Sequence, residues 1–218
     1  MAFAELFARA PLFHWKPAAL CVRIKRMKKA RLAVLGSGSG SNCQSIFDAI
    51  DRGDLRAEVV LVLSDNPGAY ILERAARRGI SAEVIDCGGY KSKFPEDMQR
   101  ALADRLLGLE IDLVCLAGFM RLVKAPLLEA FPRRIVNIHP SLLPLFPGVE
   151  AWKQALEAGA AESGCTVHYV DAGMDTGAVI MQARVPVEPG DTPETLHARI
   201  QVQEHRLYPA AVKRVLGV

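Results

Sequence analysis

Aromatic side chains are scarce in this chain. Phe, Trp and Tyr make up 6% of its 218 residues, while half of all residues are hydrophobic. A core of that size is therefore built from Ala, Val, Leu and Ile, which suits layered α/β packing in one domain. No apolar stretch is long enough to span a bilayer, so no membrane partner is expected. The five cysteines (Cys21, Cys43, Cys87, Cys115, Cys165) are odd in number and include no Cys-x-x-Cys pair. That excludes a disulfide frame and the usual zinc spacing, and fits small buried packing residues in a reducing cytoplasm. Internal repeats and low-complexity linkers are missing as well.

The basic balance is confined to one end. Residues 1–30 hold seven Lys and Arg (Arg9, Lys16, Arg23, Lys25, Arg26, Lys28, Lys29) against Glu5 alone, a net +6. The whole chain is +3, leaving −3 for residues 31–218. A mildly acidic body argues against a nucleic-acid groove. The basic segment is acid-poor like a transit peptide but lacks serine. A start assigned too early explains it better, because Met27-Lys28-Lys29-Ala30-Arg31-Leu32 leads straight into a strand. Residues 1–26 are expected to be a poorly packed extension, and residues 27–218 the functional domain.

Strand and helix patterns alternate along the body. Apolar runs at residues 31–35, 58–63, 82–85, 112–117 and 135–138 read as strands. Helical spacing appears at 43–52, 70–78 and 95–109. Runs buried on both faces and separated by helices imply a doubly wound, mostly parallel sheet. The last third differs. Residues 164–170 and 178–187 alternate in polarity and read as an antiparallel hairpin, and Thr192 caps a C-terminal helix running to about 216.

Three segments carry groups suited to chemistry. In Asn137-Ile138-His139-Pro140-Ser141, Asn137 and His139 are two apart at a strand end, so both side chains leave by one face. An amide donor beside an imidazole suits a carbonyl whose oxygen must take negative charge. A plain strand-to-turn junction, with both side chains capping loop carbonyls, explains the same spacing. Gly36-Ser37-Gly38-Ser39-Gly40-Ser41-Asn42 follows the first strand and opens a helix. It is neither a Walker A loop nor a dinucleotide fingerprint, and it suits a phosphate monoester at a helix N-terminus; a tight structural turn is the alternative. Asp175 lies in the hairpin loop, where a carboxylate near an imidazole would raise its pKa and keep it charged, or where it simply makes a turn. His168 either faces the same cleft or packs as a hydrogen-bonded core histidine. His139, His168 and Asp175 also make a two-His, one-carboxylate set, but their long-range spacing has no metal signature and no metal is expected.

Taken together, these segments resemble the phosphoribosylglycinamide formyltransferases, folate-dependent enzymes of purine synthesis within the formyltransferase family. The resemblance spans about Met27 to the C-terminus. It rests on Gly38-Ser39-Gly40-Ser41-Asn42, Leu116-Ala117-Gly118-Phe119-Met120-Arg121, and Asn137-Ile138-His139-Pro140-Ser141-Leu142-Leu143-Pro144. Gly164-Cys165-Thr166-Val167-His168-Tyr169-Val170, Asp175-Thr176-Gly177, Gln182-Ala183-Arg184-Val185-Pro186-Val187 and Gln201-Val202-Gln203-Glu204-His205 complete it. The resemblance implies direct transfer of a formyl group from 10-formyltetrahydrofolate, the co-substrate, to the amine of a ribonucleotide. It places Asn137 and His139 at the oxyanion and Asp175 as the partner that charges His139 and relays a proton. It assigns Gly40, Ser41, Asn42, Gln201 and Glu204 to the ribonucleotide. Lys93, Met120, Arg121, Leu122, Val123, Asn137 and Asp171 go to the folate, with His168 and Ser141 in support. Small-molecule substrates, no nucleic acid, and a cytoplasmic monomer or homodimer are the matching expectations.

Two departures from the family pattern stand out. Gly148-Val149-Glu150-Ala151-Trp152 replaces a loop that often carries histidines, and Lys93 stands where arginine is common, a point charge in place of a fork. Relatives of other activity fit less well. A formyltetrahydrofolate deformylase is expected to add an N-terminal regulatory domain, and a tRNA-directed formyltransferase a C-terminal RNA-binding one. A phosphosugar binder without catalysis has no need of Asn137, His139 and Asp175 together.

Overall fold

The strand β1 (Ala30–Leu35) sends Leu32 and Val34 to one side and Ala33 and Leu35 to the other, and all four are fully buried. A strand with no solvent face must be covered by helices on both sides, which is the arrangement at the centre of the sheet. The computed structural model describes residues 28–87 and 93–218. The expectation of a poorly packed extension at residues 1–26 lies outside the described residues. After β1 come α1 (Ser41–Asp51), β2 (Ala57–Ser64), α2 (Tyr70–Ala76), β3 (Ser81–Val84), α3 (Glu96–Gly108) and β4 (Leu113–Leu116). Then follow α4 (Ala125–Ala130), β5 (Ile135–His139), α5 (Ala151–Glu157), β6 (Glu162–Tyr169), β7 (Val179–Pro186) and α6 (Pro193–Leu216).

Among the described residues the seven strands form one sheet in the order β3-β2-β1-β4-β5-β6-β7. Strands β1 to β5 pair in parallel, and β5-β6 and β6-β7 pair antiparallel. The doubly wound sheet with an antiparallel C-terminal hairpin and a closing helix is thus present as the sequence implies. One core lies between the sheet and α1, α2 and α6, around Val34, Phe47, Ile71, Ile200 and Tyr208. The other lies beneath α3 and α4, around Leu35, Leu63, Leu106, Val114 and Leu127. Chain order reverses between β1 and β4, the switch point where open α/β sheets bind ligands outside the strands' carboxyl ends.

Helix α6 begins on a reciprocal cap. The Thr195 N–H donates to Thr192 Oγ1 (3.3 Å) and the Thr192 N–H to Thr195 Oγ1 (2.9 Å). It is anchored to the sheet by Tyr208, fully buried, whose hydroxyl donates to the Leu116 carbonyl at 2.8 Å and lies 3.3 Å from that of Val136. Both acceptors lie on strands flanking the cleft. Tyr208→Phe keeps the ring but removes the donor to the Leu116 carbonyl. It is expected to cost about 0.5–1.5 kcal/mol, read as a lower urea midpoint with unchanged slope; an unaltered midpoint would show that the phenol contributes packing alone.

Candidate active site

Three loops meet above the switch point. The first runs from β1 to α1. The Gly36 position is closed to any side chain, because a Cβ would lie 2.7 Å from the Ala117 carbonyl oxygen and from Ile71. Gly40 has φ +70°, and its Cβ would lie 2.7 Å from Ile71 Cβ. Glycine at these two points lets the turn pass tightly between β4 and α2, leaving Ser41 and Asn42 as the first residues of α1. No acidic residue sits in that first helical turn. The second loop follows β4 and is tied to the first by Ser37 N–H donating to Gly118 O (3.0 Å) and Met120 N–H to Ser37 Oγ (2.9 Å). The third is the β6-β7 loop, held across the cleft by Lys124 Nζ donating to Ala172 O (3.0 Å).

The cavity between them has a volume of about 590 Å³, a size suited to a small-molecule substrate. One wall is polar and largely buried. Antiparallel register sets Asn137 opposite His168, and Asn137 Nδ2 lies 3.1 Å from His168 Nε2. His168 Nδ1 lies 2.9 Å from the Tyr169 carbonyl, which can only accept. The His168 proton is therefore on Nδ1, and Nε2 accepts from the Asn137 amide, leaving that amide a second N–H. His139 Nε2 lies 2.9 Å from the Phe146 carbonyl, so its proton is on Nε2 and its lone pair on Nδ1. That nitrogen faces Asp175 Oδ2 at 3.4 Å, while Asp175 Oδ1 stands 3.6 Å from His168 Nε2. The Gly148 N–H donates to Asp175 Oδ2 at 2.8 Å. The His139, His168 and Asp175 side chains are 5%, 3% and 13% exposed, so water screens their charges little. Asp175 adopts φ 57°, an uncommon conformation for a non-glycine residue and one that clusters at functional sites.

Burial sets the protonation of this wall. It pushes the His139 pKa down from 6.5, more than the Phe146 carbonyl and Asp175 raise it. Burial acts on Asp175 in the opposite sense, yet a hydrogen bond from the protonated form of His168, the Gly148 N–H and the charge of protonated His139 together hold its carboxyl below 3.8. The resting state at neutral pH is a neutral imidazole facing a carboxylate.

The remaining predicted residues divide. Gly40, Ser41, Asn42, Gln201 and Glu204 line one end of the cleft, and Met120, Arg121, Leu122, Val123 and Asp171 belong to the same cavity. Asn42 Nδ2 donates to Glu204 Oε2 (2.8 Å), and burial raises the Glu204 pKa above 4.5. The Arg121 guanidinium bonds Asp65 Oδ2 through Nε at 2.6 Å, in a pair 11% and 7% exposed. Asp65 also takes the Ser37 hydroxyl. Asp171 Oδ1 accepts from Gly173 N–H (3.1 Å) and Thr176 Oγ1 (2.7 Å), shaping its own loop. Ser141 donates to the Leu145 carbonyl and braces the turn after β5. Lys93 is not among the residues lining the cleft; its carbonyl lies 3.4 Å from Arg121 Nη1. Sequence reasoning did not single out Asp65, His197 or the Gly148 N–H. Only Asp65 had a local signal, standing in the turn that ends β2.

Among the described residues no cluster of three or more His, Cys, Asp or Glu side chains is placed to hold a metal ion. Nor is any helix of theirs long and apolar enough to cross a membrane. Burial pushes the Cys43 and Cys165 thiols up to about 12, which leaves them poor nucleophiles.

Known proteins are similar to this chain over most of its length. Residues 30–212 match the family model described as formyl transferase. A phosphoribosylglycinamide formyltransferase of Bacillus subtilis is 41% identical over 192 residues, covering 88% of this chain and 96% of that protein. The trifunctional purine biosynthetic protein adenosine-3 of Drosophila pseudoobscura pseudoobscura is 48% identical over 87% of this chain, which spans only 14% of that protein's length. Among solved structures, glycinamide ribonucleotide transformylase 1 of Symbiobacterium toebii is 52% identical, with a TM-score of 0.82 over 87% of this chain and 89% of that one. The enzyme of the same name from Geobacillus kaustophilus is 50% identical, with a TM-score of 0.81 over 87% and 100%. The chain belongs to the formyl transferase family, among the phosphoribosylglycinamide formyltransferases.

Proposed function

We propose that this chain transfers the formyl group of 10-formyltetrahydrofolate to the amine of N1-(5-phospho-D-ribosyl)glycinamide, a step of purine (IMP) synthesis. The reading is carried by the meeting of Asn137, His139 and Asp175 on one largely buried wall of the cleft. Its relatives named for that reaction support it.

The substrate amine attacks the formyl carbon. The new C–N bond forms as the carbonyl oxygen becomes an oxyanion, and the C–N10 bond then breaks. Asn137 offers the oxyanion its spare N–H, while His168 holds the amide in place through the other. The attacking nitrogen becomes positively charged and must lose a proton. His139 Nδ1 and the Asp175 carboxylate face each other at 3.4 Å, within reach of an ion pair. A proton arriving there turns a lone pair opposite a carboxylate into an ion pair. The relay then returns that proton, through water, to the departing N10. Donor and acceptor held in one cleft gain mainly from orientation.

The phosphate of the ribonucleotide sits on the free N–H groups that open α1, at Gly40, Ser41 and Asn42. Gln201 and Glu204 meet its sugar end, because a buried carboxyl would repel the phosphate. The folate lies along Met120, Leu122 and Val123 under the loop of residues 171–175. Arg121 steadies that wall through Asp65.

The test is to supply purified protein with 10-formyltetrahydrofolate, with and without the ribonucleotide amine, and follow deformylated folate. Release that requires the amine is expected. Release with water alone would make the protein a hydrolase and sink the assignment.

A further inference from the structure

Two rings in the cleft have no part in the chemistry above. Trp152 lies in the first turn of α5, just past Gly148 (φ 84°) and Glu150 (φ 53°), and His197 lies near the start of α6. Their rings are stacked, with centroids 3.7 Å apart and planes 4° from parallel. Both residues line the cleft. Gln201 is one turn further along α6, and its Nε2 lies 3.4 Å from His197 Nε2. An amide nitrogen only donates, so the imidazole nitrogen accepts and the His197 proton sits on Nδ1. Burial lowers the His197 pKa from 6.5, which keeps the ring neutral and able to accept. Glu204 follows one further turn along, so His197, Gln201 and Glu204 share the cleft-facing stripe of α6.

We propose that Trp152 is a positioning residue for the ribonucleotide: stacked on His197, it fixes the imidazole that ties back the Gln201 amide nitrogen and turns the Gln201 carbonyl oxygen toward the substrate. Gln201 then offers an acceptor, which selects a hydroxyl or N–H donor on the substrate and leaves the phosphate to α1. Without the indole, the imidazole is free to rotate and the amide to flip, and the recognising atom is lost half the time or more. This inference rests on the reading that Gln201 contacts the ribonucleotide.

The chain has only one other tryptophan, Trp15, so a Trp15→Phe background isolates Trp152 emission. Stacking on the imidazole quenches that emission, and His197→Ala is expected to raise it, whether or not the protein turns over. Trp152→Leu is expected to raise KM for the ribonucleotide about 5- to 10-fold, the scale of one neutral hydrogen bond. The value of kcat and the KM for 10-formyltetrahydrofolate should stay within about 2-fold, since neither depends on that bond. Trp152→Phe, which keeps a ring to stack, should recover most of the loss. In a Gln201→Ala background Trp152→Leu should add nothing. Equal effects on both KM values, a fall in kcat, or full additivity with Gln201→Ala would make the indole merely a packing group and overturn the proposal. Absence of turnover in the wild type would refute the proposed reaction. Unchanged emission in His197→Ala would refute the stack independently.

Discussion

Asp175→Asn is expected to lower kcat by about 10²-fold or more, and His139→Ala by a similar factor, with the fold intact. Asparagine is nearly isosteric and can still accept the Gly148 N–H, so the loop keeps its anchor. What it loses is the charge that makes the Nδ1 side of His139 a place for a proton. The pH profile should carry the same signature. The working state has His139 neutral, and burial sets its pKa below 6.5, so activity is full above that value and falls as pH drops through it. Asp175 is one of the influences that raise the His139 pKa, so removing its charge moves the acid limb to still lower pH. Stability follows the same sense. Both His139 and Asp175 have folded-state pKa values below their ordinary ones, so each contributes stability above the ordinary value and loses it on acidification. An acid limb that moved upward in Asp175→Asn, or a near-normal kcat in either variant, would remove the pair from the mechanism.

The sheet was legible in the sequence because its evidence is local. Strands buried on both faces are continuous apolar runs, and the polar alternation of residues 164–170 marked the hairpin. Helices α4 (Ala125–Ala130) and α5 (Ala151–Glu157) were not, since six or seven residues make fewer than two turns and show no period. The site was half legible. Asn137 and His139 announce themselves by spacing on one strand, and β5 does present both to the cleft. Asp175 meets them from 36 residues away in sequence by way of a loop, and no local pattern encodes that meeting; the resemblance supplied it. The side chain of Arg121 shows the same limit. Its place in the cleft follows from the motif, but its bond to Asp65 joins the ends of β2 and β4, a contact that arises only once the sheet is assembled. Trp152 and His197, 45 residues apart, carry no sequence signal of stacking at all.

Gly177→Ala is expected to cost about as much turnover as loss of the Asp175 carboxylate, about 10²-fold, from a residue with no reactive group. A Cβ at this position would lie 1.7 Å from the Tyr169 carbonyl oxygen and 2.8 Å from its carbon. Those are backbone atoms and cannot swing aside, so the hairpin must open. The Tyr169 N–H donates to the Ala178 carbonyl at 2.9 Å, and the Tyr169 carbonyl is the acceptor that sets the His168 proton on Nδ1. Opening the hairpin therefore moves the loop that carries Asp175 and releases the tautomer of His168, and with it the orientation of Asn137. Both halves of the buried polar wall fail through one methyl group. The sheet beyond the hairpin end is untouched, so the urea midpoint should fall much less than the activity. If the damage runs through the same constellation, Gly177→Ala combined with Asp175→Asn should be no slower than the worse single variant. Multiplicative losses in the double variant would place Gly177 in a separate role. Near-normal turnover would mean that the loop reaches its catalytic position without passing so close to Tyr169.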